Sequence, residues 1–87
     1  MIPSLKNLVE SIVLSLVDDT SQVKILPSVR EGQEVLTVLV AADDVGRVVG
    51  KEGRVVNALR TVVKAGAAKA NQRVSVEIFS ISEYVGE

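Results

Sequence analysis

Val48-Val49-Gly50-Lys51-Glu52-Gly53-Arg54-Val55-Val56 joins two apolar helical patterns through a four-residue turn holding two glycines, a lysine and a glutamate. Glycine has no Cβ and accepts positive φ, so Gly50 and Gly53 let the backbone fold tightly and bring its amide N–H groups against an anion. Arg54 opens the next helix, where unpaired backbone donors and the positive end of the helix dipole also favour a phosphate. The local chemistry points to nucleic acid.

Working outward, a long helix is expected from about Arg54 to Ala70, with Val55, Val56, Leu59, Val62, Val63, Gly66 and Ala70 as its buried stripe. Arg54, Asn57, Thr61 and Lys64 share its outer face. Before the turn, Asp43 and Asp44 are candidates to cap or charge a short helix running through Val49. Val35 to Val40 is almost unbroken apolar sequence, the signature of a central strand or one buried on both faces. Val23, Ile25, Pro27 and Val29 alternate with more polar neighbours, although Leu26 breaks the pattern. Proline cannot donate to a ladder, so this is an edge strand, with Arg30-Glu31-Gly32-Gln33 as the hairpin turn. Leu5, Leu8, Val9, Ile12, Val13 and Leu16 recur at helical spacing, with Pro3 and Ser4 suited to the start and Asp18-Asp19-Thr20-Ser21 to the end. Val74, Val76 and Ile78 alternate with Arg73, Ser75 and Glu77 as a last strand.

The order is helix, strand, strand, short helix, glycine turn, long helix, strand. A two-helix crossover returns the last strand parallel to the one before it, because such connections are almost always right-handed. The expected fold is α+β in two layers, a three-stranded mixed sheet covered on one face by three helices. One domain is expected over 1–80, followed by a short tail, 81–87, that carries too little signal to assign.

Composition narrows the function. The 87 residues are 47% hydrophobic, enough for one compact core. There is no cysteine and no histidine, which removes disulfides, thiolate sites, the usual general base and the commonest metal ligand. No enzymatic activity, metal or cofactor is expected. Glu10 interrupts the N-terminal apolar stretch and no small-residue cleavage site follows, so it reads as a soluble helix, and the absence of cysteine suits a reducing cytoplasm. The net charge of −1 argues against binding by bulk electrostatics, yet five of ten basic residues, Arg47, Lys51, Arg54, Arg60 and Lys64, surround the glycine turn. For Arg60 and Lys64 a merely solvated helix face is an equal reading.

Two other classes compete. A P-loop needs four residues between its glycines and a Ser or Thr after the lysine, whereas Gly46 and Gly50 are separated by three and Glu52 would repel a triphosphate. Phe79 and Tyr84 are the only aromatics, too few for the stacking platforms of RRM sheets or OB folds. A protein-interaction module is the stronger rival. Ala58, Ala65 and Ala68 on the long helix would admit a second helix, although alanine is also simply the best helix former. Val35, Thr37 and Leu39 offer another sticky face if the helices cover only the opposite side of the sheet.

The segment Val48 to Arg54, set between two helices after a strand ending Val40-Ala41, resembles the GXXG signature of a KH domain in its type II, prokaryotic order. Leu8-Val9-Glu10, Asp43-Asp44-Val45-Gly46-Arg47 and Asn57-Ala58-Leu59-Arg60-Thr61-Val62-Val63 extend the resemblance to the KhpA family of small bacterial single-KH proteins. The resemblance implies that Gly50 and Gly53 admit a sugar-phosphate chain, that Lys51 and Arg54 supply charged donors, and that bases lie in an adjacent apolar groove. Gly50, Lys51, Glu52, Gly53, Arg54, Arg47 and Val49 are the expected RNA-binding residues. Val49 and Val56 are groove candidates for which ordinary core packing is the competing reading. The resemblance further implies single-stranded RNA as ligand, a role as RNA chaperone or post-transcriptional regulator linked to cell growth and division, and pairing as a homodimer or with a larger KH-containing protein of the KhpB/Jag type. Glu52 opposes Lys51 within the turn, so weak affinity and reliance on backbone donors are expected.

Overall fold

A computed structural model describes residues 5–84. Helix α1 (Leu5–Leu16) leads into strands β1 (Lys24–Arg30) and β2 (Gln33–Val40), a one-turn helix α2 (Val45–Val49), the long helix α3 (Arg54–Lys69) and strand β3 (Val74–Ser80). The helix start expected at Pro3 and Ser4 and the end of the tail lie outside the described residues. The sheet order is β1-β2-β3, antiparallel between β1 and β2 and parallel between β2 and β3. The expected two-layer α+β architecture is therefore the observed one.

The register explains the layers. Ile25, Pro27 and Val29 share the face of Leu36 and Val38 and of Val76 and Ile78. Onto this face pack Val9 and Val13 of α1, Val48 of α2, and Leu59, Val63 and Ala67 of α3. Each such buried valine or leucine contributes about 1.5–3 kcal/mol of transfer free energy. Two expected members of the α3 stripe lie elsewhere: Val62 is 48% exposed and Ala70 is exposed, while Ala67, not expected, is 1% exposed and buried. Ala70 lies just past the end of α3, and Val62 falls beyond the flank of the helix on which Leu5 of α1 reaches Gly66.

β2 is buried on both faces, as its composition predicts. The reason on the open face is different from a helical cover. Arg30 of β1 and Glu77 of β3 form an ion pair of 2.8 Å that spans β2, and Val35, Thr37 and Leu39 are only 4–5% exposed beneath the flanking side chains. That face is not the sticky surface its composition suggested. Phe79, on the same face, meets Tyr84 at a centroid distance of 6.0 Å, so the two aromatics pair with each other.

Candidate nucleic-acid interface

The glycine turn is held by backbone conformation more than by side chains. Gly50 has φ 79° and ψ 173°, a region open essentially to glycine alone. A Cβ there would collide with the Val55 side chain and lie 2.8 Å from the Val55 backbone nitrogen. Gly50 is thus required twice, by its dihedrals and by the close approach of α3. Gly53 has φ 76° and ψ 14°, left-handed but roomy, with only Asn57 Nδ2 near its absent Cβ, at 3.6 Å.

Between them Glu52 also adopts positive φ, 55°, an uncommon and costly state for a residue with a Cβ. The Gly53 N–H donates to the Gly50 carbonyl at 3.1 Å and closes the turn. Among the described residues the Lys51 and Glu52 N–H groups donate to no carbonyl or side chain. Two adjacent backbone donors therefore stand free beside the N-terminus of a sixteen-residue helix.

The charged side chains divide by partner. Lys51 is exposed and makes no ion pair among the described residues. Glu52 turns to Arg54, at 3.5 Å, so the acid expected to oppose Lys51 engages the other cation of the turn. Both partners are more than 70% exposed, and an ion pair so wet is worth little.

Arg47 sits differently. Its guanidinium donates to the Asp43 carbonyl at 3.1 Å and pairs with Asp44 at 3.3 Å and Asp18 at 3.0 Å, which ties it to the α1–β1 connection. Val49 is half-buried beside Gly50, whereas Val56 is 5% exposed and belongs to the packed interior. Gly50, Lys51, Glu52, Gly53 and Arg54 form one continuous surface; Arg47 is drawn toward the acids behind it.

Asp44 performs a role that sequence reading did not assign. Of the two expected roles, capping or charging the short helix, the capping bond does not form. Its carboxylate is 2% exposed and accepts the backbone N–H groups of Asp18 and Asp19, each at 3.0 Å. Those two bonds, with the Arg47 guanidinium, hold its pKa below the usual carboxylate value against the opposing effect of burial. A one-turn helix has too few internal bonds to persist alone, so Asp44 and buried Val48 fix α2 and hence the entry to the glycine turn. The only sequence signal was the Asp43-Asp44 pair, which reads equally well as a helix cap.

The chain is similar to known proteins. The family model for the KhpA/KhpB KH domain matches residues 6–78. Curated relatives called RNA-binding protein KhpA include those of Clostridium acetobutylicum, 46% identical over 74 residues covering 85% of this chain and 99% of the relative. The Treponema pallidum relative of the same name is 40% identical over 78 residues, covering 90% and 98%. With the type II element order and a glycine turn between α2 and α3, the chain belongs to the KhpA/KhpB KH-domain family.

Proposed function

We propose that this protein binds single-stranded RNA, without catalysis, through the turn Gly50-Lys51-Glu52-Gly53 and the start of α3. The observation that carries the reading is the pair of free N–H groups at Lys51 and Glu52, presented between two glycines whose conformations bring the backbone to the surface. Lys51, without an ion pair among the described residues, and the names of the relatives, RNA-binding proteins, support it. Gly50 and Gly53 admit the sugar-phosphate chain, Lys51 adds a charge-assisted donor, and Val49 borders the bases. Arg54 contributes once a phosphate displaces Glu52 from it. Arg47 contributes at most indirectly, through α2.

With so few phosphate contacts, binding is weak and its salt dependence shallow: two contacts give a slope of log affinity against log salt of about −1.4. The test is a titration of fluorescent single-stranded RNA against the native protein and a variant with Lys51→Asp and Glu52→Asp. Loss of affinity in the variant supports the site; equal affinity overturns it. The wider role is post-transcriptional, as an RNA chaperone or regulator of growth and division in the cytoplasm, with residues 1–80 as the working domain.

A scaffold function is favoured by one specific observation. The flank of α3 away from β3 exposes Val62 at 48% together with exposed Ala58 and Ala65, a surface a second helix can approach closely. Pairing there, with a second copy or with a larger KhpB-type protein, joins two weak RNA sites and makes the second contact intramolecular. Recovery of partner and phenotype by the Lys51-Glu52 double variant would favour scaffolding as the main activity.

A further inference from the structure

Two cations that the glycine turn does not use meet at the far end of α3. Lys64 continues the flank of the helix that begins at Gly53 and passes through Asn57 and Arg60, since positions three and four residues apart share one side. It lies about 16 Å from Gly53 along the helix axis, at a rise of about 1.5 Å per residue. Arg73 approaches from the connection into β3. Both line one cavity of about 300 Å³, whose floor is Ala67, Ala68 and Val74 and whose remaining walls are Gln33 and Gln72. Between this cavity and the glycine turn Arg60 is engaged, its Nε–H donating to the Val76 carbonyl at 3.1 Å.

The lining suits an anion. Lys64 and Arg73 are exposed, and neither makes an ion pair among the described residues. The two carboxamides add N–H donors without charge. A helix C-terminus ordinarily repels anions through its unpaired carbonyls. Here the Ala67 carbonyl accepts from the Gln72 N–H at 2.9 Å and the Ala68 carbonyl from the Asn71 N–H at 3.0 Å, the pairing of a Schellman turn. The acid Glu34 lines the neighbouring cavity, which shares Gln72 and Arg73, and does not line this one. The floor has no aromatic face on which a base could stack, so the lining selects phosphate and not base.

We propose that this cavity is a second phosphate site, in which Lys64 and Arg73 hold one backbone phosphate of the same RNA strand several nucleotides away from the glycine turn. The proposal rests on the RNA-binding reading of that turn and lengthens its footprint. A strand leaving the turn along the Gly53, Asn57 flank arrives at Lys64, which favours RNA backbone over free phosphate as the occupant. Held first at the turn, the strand makes its second contact intramolecularly, so modest charges suffice.

The experiment titrates tetra-, hexa- and octauridylate across a salt series against the native protein, a Lys64→Gln, Arg73→Gln double variant, and Lys69→Gln, whose cation lies outside the cavity. The native protein should bind octauridylate about tenfold more tightly than the double variant does, the worth of one charge-assisted contact, while tetrauridylate affinities agree within about twofold. Its slope of log affinity against log salt for octauridylate should be steeper by about 0.7, the release expected for one further phosphate. Lys69→Gln should keep the native length dependence. Unchanged tetrauridylate binding also shows that the double variant is folded. The same gain with length in the native protein and the double variant would overturn the proposal, as it would for a cavity that takes only free phosphate. Equal weakening at every length, or the same loss in Lys69→Gln, would overturn it in favour of net charge. Failure of the RNA reading itself is distinguishable: the Lys51→Asp, Glu52→Asp variant then binds tetrauridylate as the native protein does, and the second site falls with the first.

Discussion

Arg30-Glu31-Gly32-Gln33 and Lys51-Glu52-Gly53-Arg54 are two turns of nearly the same composition and local shape. Their Glu-Gly pairs have φ of 53° and 78° in the first and 55° and 76° in the second. The first joins antiparallel strands whose twist suits positive φ at both central residues, and Arg30 and Gln33 pair directly across it. Its cation is engaged with Glu77 at 2.8 Å. The second lies between two helices, leaves two N–H groups free, and has a cation without an ion pair among the described residues. What differs is the flanking structure and one extra glycine: Gly32 has open space around its absent Cβ, whereas Gly50 is pressed against Val55. The same dipeptide closes a ladder in one place and, in the other, stands in a turn whose backbone donors have no acceptor among the described residues.

The largest effect should come from that extra glycine. Gly50→Ala should cost about 3 kcal/mol, from a forbidden conformation combined with a clash, while Gly32→Ala should cost about 1 kcal/mol, from positive φ alone. Urea denaturation of the two variants checks this, and equal losses would erase the distinction between the turns.

Next comes RNA affinity. Charge reversal at Lys51 should weaken single-stranded RNA binding about tenfold, the worth of one charge-assisted hydrogen bond, whereas reversal at Arg30 should not change it. Fluorescence anisotropy with one oligonucleotide decides the matter, and an equal response at Arg30 would show that net charge, not the turn, governs binding.

Acid should separate the turns in a third way. The folded pKa of Asp44 is depressed, so its contribution to stability is complete above the unfolded carboxylate value of about 3.9 and is lost as pH falls through the lower folded value. The hairpin turn is held by its own ladder, while the glycine turn depends on α2. Protection of the Gly50 and Gly53 amides from hydrogen exchange should therefore fall on acidification before protection of the β1–β2 ladder does. Asp44→Asn should flatten that pH dependence; unchanged acid sensitivity in this variant would remove Asp44 from the account.

The smallest effect belongs to Glu52. Glu52→Gln should tighten RNA binding about two- to threefold by freeing Arg54 and removing an acid, a change of the size exposed charges produce. Glu31→Gln serves as the control and should leave affinity unaltered.

Much of this was legible in the sequence because local pattern and burial agree. The near-continuous apolar run Val35 to Val40 marks a strand covered on both sides, and Pro27 marks the edge. The Arg54 to Lys69 helix follows from its period, although period alone does not show that Ala67 is buried and Val62 half exposed, because that depends on which flank meets the sheet. In sequence Asp44 reads as a residue that caps or charges α2, because only the helix that follows is visible there; in the fold its carboxylate serves two amides 25 and 26 residues earlier. Arg47 reads in sequence as a ligand-binding cation, and its tie to Asp18 becomes visible only in the fold, the two being distant in the chain.

The sequence alone determined the element order, the family and the chemistry of the glycine turn, because period, glycine placement and charge are local properties. Tertiary structure decided which cations remain available: Arg47 joins Asp18 and Asp44, Arg30 spans β2 to Glu77, Arg60 fastens to the edge of β3, and Lys51 stays exposed without an ion pair among the described residues. Such partners lie up to 47 residues apart, and only folding brings them within hydrogen-bond reach.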